Sequence, residues 1–454
     1  MSQEPVHCRP MPDLPLNILH LSDIHLRKSE IESPADLDAD IRNELTLDLT
    51  GGDLPIEGGV HAVVVTGDLA FAGDPVEFDN ARSWLLSLCE TINCPPEQIW
   101  VVPGNHDVDR GAVDRSSVLR AIHHGIRDAE RPSSLLHEHL CEPAGAQLLL
   151  SPLQAYNRFA EQFRSDSSFR SIAWVSSATD LVLNDGSSLR IRGLNSALVS
   201  DRNDNDTTHK LVLGLGQLSI QRQPGVVWMT LCHHPPRWLA DDHEVADYLD
   251  SRVAIQLFGH EHRLRVQRHD NGIRVYAGAL HPSRDEPGWH PKYNLLRVAV
   301  DGSEADRTLV VDVFEREWKR EQTMFGPAVG GRGQSYPRNF RFSLPAWSPP
   351  PATVSEEQAE AATPDAPAVV EENETLEDAS DADAPKRLVF QFFEVPYPAR
   401  IKLLAELGLV READVNIRES ELLRRVVARA RDADSLHELQ AAIVTNLPKN
   451  DEAP

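Results

Sequence analysis

Short apolar runs recur through the first 345 residues, and each breaks off at a cluster of polar side chains. Asn17-Ile18-Leu19-His20-Leu21-Ser22 reads as a buried strand and stops at Asp23-Ile24-His25. His61-Ala62-Val63-Val64-Val65-Thr66 has a continuous β-branched core and stops at Gly67-Asp68. Residues 99–102 run into Pro103-Gly104-Asn105-His106-Asp107. Residues 226–232 end in His233-His234-Pro235-Pro236, and residues 253–258 end in Gly259-His260-Glu261-His262. Apolar runs of this length, closed by Gly or Pro, predict buried strands with tight loops after them.

Between these runs the period changes. Leu37, Ile41, Leu45 and Leu49 share one helical face over residues 35–49, and Phe78, Trp84, Leu85 and Leu88 do so over residues 77–92. This strand–helix rhythm predicts an α/β sheet protein whose site lies at the carboxyl ends of the strands. Residues 113–171 are predicted as a mainly helical insertion covering that site. Strand signals return at Trp174-Val175, Leu181-Val182-Leu183 and Leu189-Arg190-Ile191, with Asn184-Asp185-Gly186-Ser187 as a hairpin turn. Residues 273–277, 295–300 and 308–314 complete a second group of strands.

Composition changes the picture after residue 345. Residues 346–385 hold eleven acidic and no basic side chains amid Pro, Ala and Thr. Such a segment cannot bury a core and is expected to be a disordered linker spanning roughly 35 Å. Residues 386–448 regain helical spacing, with a stop at Gly408 and a capping box at Ser435-Leu436-His437-Glu438. The expected domains are therefore 1–345, a linker 346–385 and a small helical module 386–448.

The net charge of −25 disfavours non-specific binding to nucleic acid or to an anionic membrane. Five cysteines without a Cys-x-x-Cys pair fit a reducing cytoplasm better than a disulfide framework. The N-terminus has no apolar signal region, and no stretch approaches the roughly 20 apolar residues of a membrane helix.

The five strand-end clusters supply carboxylate, imidazole and amide oxygen but no thiolate. That donor set suits two divalent ions such as Mn, Fe, Zn, Ni or Mg. In order, spacing and flanking strands, the clusters resemble the calcineurin-like metallophosphoesterase family over residues 15–345. The resemblance implies a two-sheet sandwich flanked by helices. It implies that Asp23, His25 and His262 hold one metal, that Asn105, His233 and His260 hold the other, and that Asp68 bridges them. It makes His106 the general acid that protonates the leaving oxygen or steadies the phosphate. Paired ions about 3.5–4 Å apart activate a water for attack on phosphorus.

Departures narrow the branch. Protein phosphatases of the family carry an acidic-Arg continuation after Gly-Asp and an Arg before Gly-Asn-His. Here Leu69-Ala70-Phe71-Ala72-Gly73 and Pro103 stand instead. Purple acid phosphatases place a Tyr ligand where Phe71 stands. What remains resembles a broad bacterial group that includes cyclic-nucleotide phosphodiesterases, other phosphodiesterases and some nucleases, and the expected substrate is a nucleotide or other small phosphodiester. The alternatives are a nuclease effector in a bacterial defence system and a catalytically weak scaffold. Residues from Phe393 through Leu407-Gly408-Leu409 to Leu439 resemble small helical adaptor domains joined to effectors in bacterial conflict systems, which implies a protein partner.

Bland readings apply to other residues. Asp107 and His234 are expected behind the ligands, Cys232 and His20 in the core, and His123, His124, His137 and His139 on the surface. Arg27, His281 and Arg284 flank the motif loops as candidate phosphate contacts.

Overall fold

The computed structural model of the chain describes residues 14–28, 38–163, 179–218, 220–283, 290–328 and 336–349, with Leu407, Val426 and Arg429. The chain divides by its contacts into two units, Met1–Thr353 and Val354–Pro454, and the first carries the fold below. The expected linker beyond residue 349 and nearly all of the helical module lie outside the described residues. So do Arg284, Trp174-Val175 and residues 164–171 of the insertion.

Three parallel strands start the first sheet: β1 (Leu16–Leu21), β2 (Ala62–Thr66) and β3 (Ile99–Val102). Helices α1 (Ala39–Thr50) and α2 (Pro75–Thr91) connect them. The second sheet has β4 (Thr179–Val182) and β5 (Ser188–Leu194) as an antiparallel hairpin. Strands β6 (Val226–Cys232), β7 (Ile255–Phe258) and β9 (Gly272–Tyr276) then run parallel to β5, with β8 (Arg265–His269) at the edge. The later strands divide between the sheets. β10 (Lys292–Asp301) pairs antiparallel with β1 and β11 (Thr308–Lys319) with β10, so they extend the first sheet, whereas β9 belongs to the second. β12 (Met324–Pro327) and β13 (Arg338–Ser343) complete the first sheet against β11.

The continuous apolar runs follow from two cores. Leu16, Ile18, Val64, Trp100 and Val102 face Ile191, Met229, Leu231 and Leu257 between the sheets. The alternate residues Leu19, Leu21, Val63, Val65 and Val101 face Ile41, Leu45, Phe78 and Leu85 on the helices. A strand with a core on each side has no polar face, which is why alternation is missing from its sequence. The five strands that lead into the polar clusters, β1, β2, β3, β6 and β7, deliver their carboxyl ends to one rim.

The insertion folds as α3 (Arg110–Arg115), α4 (Ser117–Asp128), α5 (Pro132–Cys141), α6 (Pro143–Leu150) and α7 (Gln154–Ala160). Tyr156 and Phe159 pack on Phe78 of α2. Arg127 of α4 grips Asp201 and Asp204, each at 2.7 Å, in the segment after β5. His123, expected on the surface, is buried with Leu119 and Ile126 because the three share one stripe of α4. Among the described residues no helix is long and apolar enough to cross a membrane.

Candidate metal centre

Loop geometry brings the five clusters together. The Asp23 and His25 amides donate to the Gly67 and Asp68 carbonyls at 3.1 and 2.9 Å, and the His260 amide donates to Asp23 Oδ2 at 3.1 Å. Asp107 is fully buried and acts as a clamp. Its carboxylate accepts from the amides of Asp68 (2.8 Å), Gly104 (2.9 Å) and Ala70 (2.8 Å), locking the second and third loops together. Two glycines permit the approach. A Cβ at Gly104 would strike the Asp68 carboxylate, and one at Gly259 would strike the Ser22 hydroxyl and lie 2.7 Å from the Thr66 carbonyl oxygen.

The backbone is strained at the same places. Among the described residues eight that are not glycine have positive φ, and five of them are Asp23 (53°), His25 (49°), Asp68 (55°), His260 (69°) and His262 (54°). A left-handed backbone costs such residues of order 1–3 kcal/mol each. Strain gathered on the side chains of one pocket marks a place where local stability has yielded to position.

The donor atoms form overlapping groups, each within 4.8 Å: Asp23, His25 and His262; Asp23, Asp68 and His233; His25, Asp68 and His106; His233, His234 and His260. Asp68 joins the first group to the last, because its Oδ2 lies 3.3 Å from His25 Nε2 and 3.2 Å from His233 Nε2. Asn105 Oδ1 lies 3.2 Å from both His233 Nε2 and His234 Nε2. His106 donates its amide to Asp68 Oδ1 at 2.7 Å, and its ring centroid is 4.7 Å from that of His25.

These residues fit divalent cations by their own chemistry. His233 Nδ1 donates to the Thr66 carbonyl at 2.6 Å, so its Nε2 faces the oxygens of Asp68 and Asn105 with only a lone pair unless it carries a second proton. Burial opposes that proton, but the Asp68 carboxylate carries the imidazole up to about 9. Burial also opposes charge on Asp68, yet His233 and then His106 hold its carboxyl well below the usual range. Asp23 Oδ1 is buried and accepts no hydrogen bond, although His262 Nε2 lies 3.2 Å away. Divalent cations among these groups would give Asp23 Oδ1 its missing partner and take the lone pairs of the imidazoles. Burial, then the charge of His233, pushes His260 down to about 3, leaving a neutral imidazole with a lone pair to give. A further donor group, Asp201, Asp204 and His209, already encloses the Arg127 guanidinium, which takes the place of an ion.

Sequence reasoning did not anticipate two residues. His234, expected behind the ligands, turns its Nε2 into the pocket, while its Nδ1 meets the Ser196 hydroxyl at 2.8 Å. Glu77 was read only as the start of a helix. Its buried carboxylate accepts from the Ala72 amide at 2.9 Å and the Lys28 amide at 3.2 Å, fixing two motif loops. The capping box of Asp74 and Glu77 was the signal available for it. Of the flanking residues, Arg27 stacks on Phe71 at 4.1 Å, and His281 is buried with Nδ1 donating to the Ile24 carbonyl at 2.6 Å.

The family model of calcineurin-like phosphoesterases matches residues 16–264. A second model, the GTPase-associated adaptor domain, matches residues 385–445. No curated protein matches the chain. Among solved structures the chain is similar to vacuolar protein sorting 29 from Cryptosporidium parvum, at 11% identity over 73% of this chain and 100% of that one, with a TM-score of 0.30. It is also similar to an archaeal phosphodiesterase (11% identity, 69% and 100% covered, TM-score 0.26) and to a putative 5'-nucleotidase from Staphylococcus aureus (12% identity, 76% and 57% covered, TM-score 0.30).

Proposed function

The chain belongs to the calcineurin-like phosphoesterase family, and from that premise we propose that it is a dimetal phosphodiesterase acting on a nucleotide or another small phosphodiester. Asp23, His25 and His262 hold the first ion, and Asn105, His233 and His260 the second. The observation that carries the reading is the position of Asp68 Oδ2, 3.3 Å from His25 Nε2 and 3.2 Å from His233 Nε2, between the two ligand sets. When bound, a pair of divalent ions draws charge from phosphoryl oxygens and supplies a water of lowered pKa.

The chain's own residues do the rest. Asn105 offers a neutral oxygen and so leaves more positive charge for the phosphate. Thr66, through its carbonyl, fixes the His233 tautomer that presents Nε2 to an ion. His106 Nδ1 meets the Phe71 carbonyl at 2.8 Å, which orients Nε2 as the proton-carrying atom on the leaving-group side. Burial, partly opposed by Asp68, pushes His106 down to about 4 in the free protein. As general acid it would carry the Nε2 proton while the ester is bound. Residues 385–445, by their match to an adaptor domain, recruit a protein partner, with a GTPase-associated protein as the favoured class.

A panel with Mn²⁺ tests this: bis(p-nitrophenyl) phosphate, cyclic nucleotides, single-stranded DNA and single-stranded RNA. Asp68→Ala and His106→Ala are expected to abolish turnover, and full activity in Asp68→Ala would sink the mechanism. Deleting residues 386–454 is expected to remove partner binding while small-ester hydrolysis continues.

A further inference from the structure

Two arginines meet the site's own side chains without a carboxylate to neutralise them. Arg27 lies over the Phe71 ring at 4.1 Å, and that ring is 5.2 Å from the His106 ring. Arg110 places Nη2 3.1 Å from His106 Nδ1. A carbonyl oxygen can only accept, so the 2.8 Å contact with Phe71 requires that Nδ1 carry the hydrogen. Nδ1 then has no lone pair for Arg110, whose N–H is left facing another donor. Asp109, next in the chain, is already engaged by the Ala112 amide at 2.9 Å and by Arg115. Among the described residues neither Arg27 nor Arg110 has an acidic partner.

Three other basic side chains near the motif loops are paired: Arg237 and Arg265 share Glu261 at 2.6 and 3.1 Å, and Lys28 meets Asp74 at 3.4 Å. Arg27 is also built in. Leu26 and Ala70 form a parallel bridge, and the buried Glu77 carboxylate accepts from Lys28 on one side and from Phe71 and Ala72 on the other. The Arg27–Phe71 pair therefore sits on backbone fixed from both sides. Guanidinium groups held beside a site without an internal anion are suited to an external one, and phosphate matches their fork of donors.

We propose that Arg27 and Arg110 form a second anion subsite on the His106 side of the centre, which takes a phosphate carried by the departing group. This rests on the phosphodiesterase reading and narrows it to small diesters whose leaving group is itself a phosphate ester, such as a terminally phosphorylated dinucleotide.

Binding to the full chain in Mn²⁺ is measured calorimetrically with thymidine 3',5'-bisphosphate and thymidine 5'-monophosphate. The wild type is expected to prefer the bisphosphate by roughly tenfold or more. Arg27→Gln with Arg110→Gln is expected to remove that preference, and the Arg→Lys pair to restore part of it by charge. Equal affinity of the wild type for both ligands, or a preference that survives in the Gln pair, would overturn the subsite. A kinetic arm compares the dinucleotide TpT with pTpT and TpTp. A terminal phosphate on the leaving side is expected to raise kcat/KM in the wild type and not in the Gln pair. Absent turnover of all three dinucleotides speaks against the phosphodiesterase reading, while the binding comparison still decides the subsite. Melting curves of both pairs confirm that the fold is retained.

Discussion

Removing the Asp107 carboxylate is expected to do more harm to the fold than removing any single metal ligand. Its two oxygens accept from the amides of Asp68, Ala70 and Gly104, all in a fully buried loop pair. Asp107→Ala leaves three buried N–H groups without an acceptor, at about 1–3 kcal/mol each. Relief from burying a carboxylate offsets part of this, so a net loss of about 3–6 kcal/mol follows. That is a large share of the 5–15 kcal/mol typical of a domain. Asp107→Asn keeps one acceptor oxygen and turns an amide toward the other donors, for a loss of about 2–3 kcal/mol. Urea unfolding followed by tryptophan fluorescence, with and without Mn²⁺, measures both. A second readout separates clamp from ligand. Asp107→Asn is expected to weaken Mn²⁺ binding while still taking up two ions, whereas His233→Ala changes the stoichiometry. A midpoint for Asp107→Ala equivalent to less than about 1 kcal/mol from wild type would refute the clamp.

His123 is buried with neither ring nitrogen bonded, and burial, then the Arg127 charge, pushes it down to about 4. Its folded pKa lies below the unfolded 6.5, so the stability it permits is complete above pH 6.5 and is lost as pH falls toward 4, by about 3 kcal/mol in all. His123→Leu should therefore flatten the decline in urea midpoint between pH 7 and pH 4.5, and an unchanged slope would contradict this. Gly104→Ala drives a Cβ into the Asp68 carboxylate. It is expected to cut turnover by about 10²-fold or more, with weaker Mn²⁺ uptake in a calorimeter and a fold intact by circular dichroism. Arg127→Met takes the guanidinium from between Asp201 and Asp204, leaves Asp201 only His209, and should cost about 3–5 kcal/mol, read from the melting temperature with the double variant Arg127→Met, Asp204→Asn as control.

The candidate site was legible because its signal is local. Each candidate ligand stands within a few residues of an apolar run, and a polar cluster after a buried strand needs an explanation on its face. Partners across the chain were less legible. Residues 295–300 and 308–314 read correctly as strands, but alternation says only that a face is buried, not which sheet buries it, and β1 accepts β10 on its open edge. His123 looked like a surface histidine because it lies in a helical insertion rich in Arg, Glu and His, although its spacing from Leu119 and Ile126 already placed it on the inner stripe. His234 was masked by the better match of His233 to the family pattern. Arg27 and Arg110 were ordinary basic residues until their contacts with Phe71 and His106 were known. In sequence a charge has no partner, and only three-dimensional proximity shows which charges are left over.

The two sheets meet at their strand ends, and that has a consequence for the life of the protein. In the proposed centre each ion draws ligands from both layers: Asp23 and His25 from the first with His262 from the second, and Asn105 from the first with His233 and His260 from the second. The ions are then rivets through the sandwich, and loading them is linked to keeping its halves in register. A cell short of the right metal would hold not only idle enzyme but a looser one, more open to proteases, so supply of the cation would set how much of the protein persists as well as how fast it works.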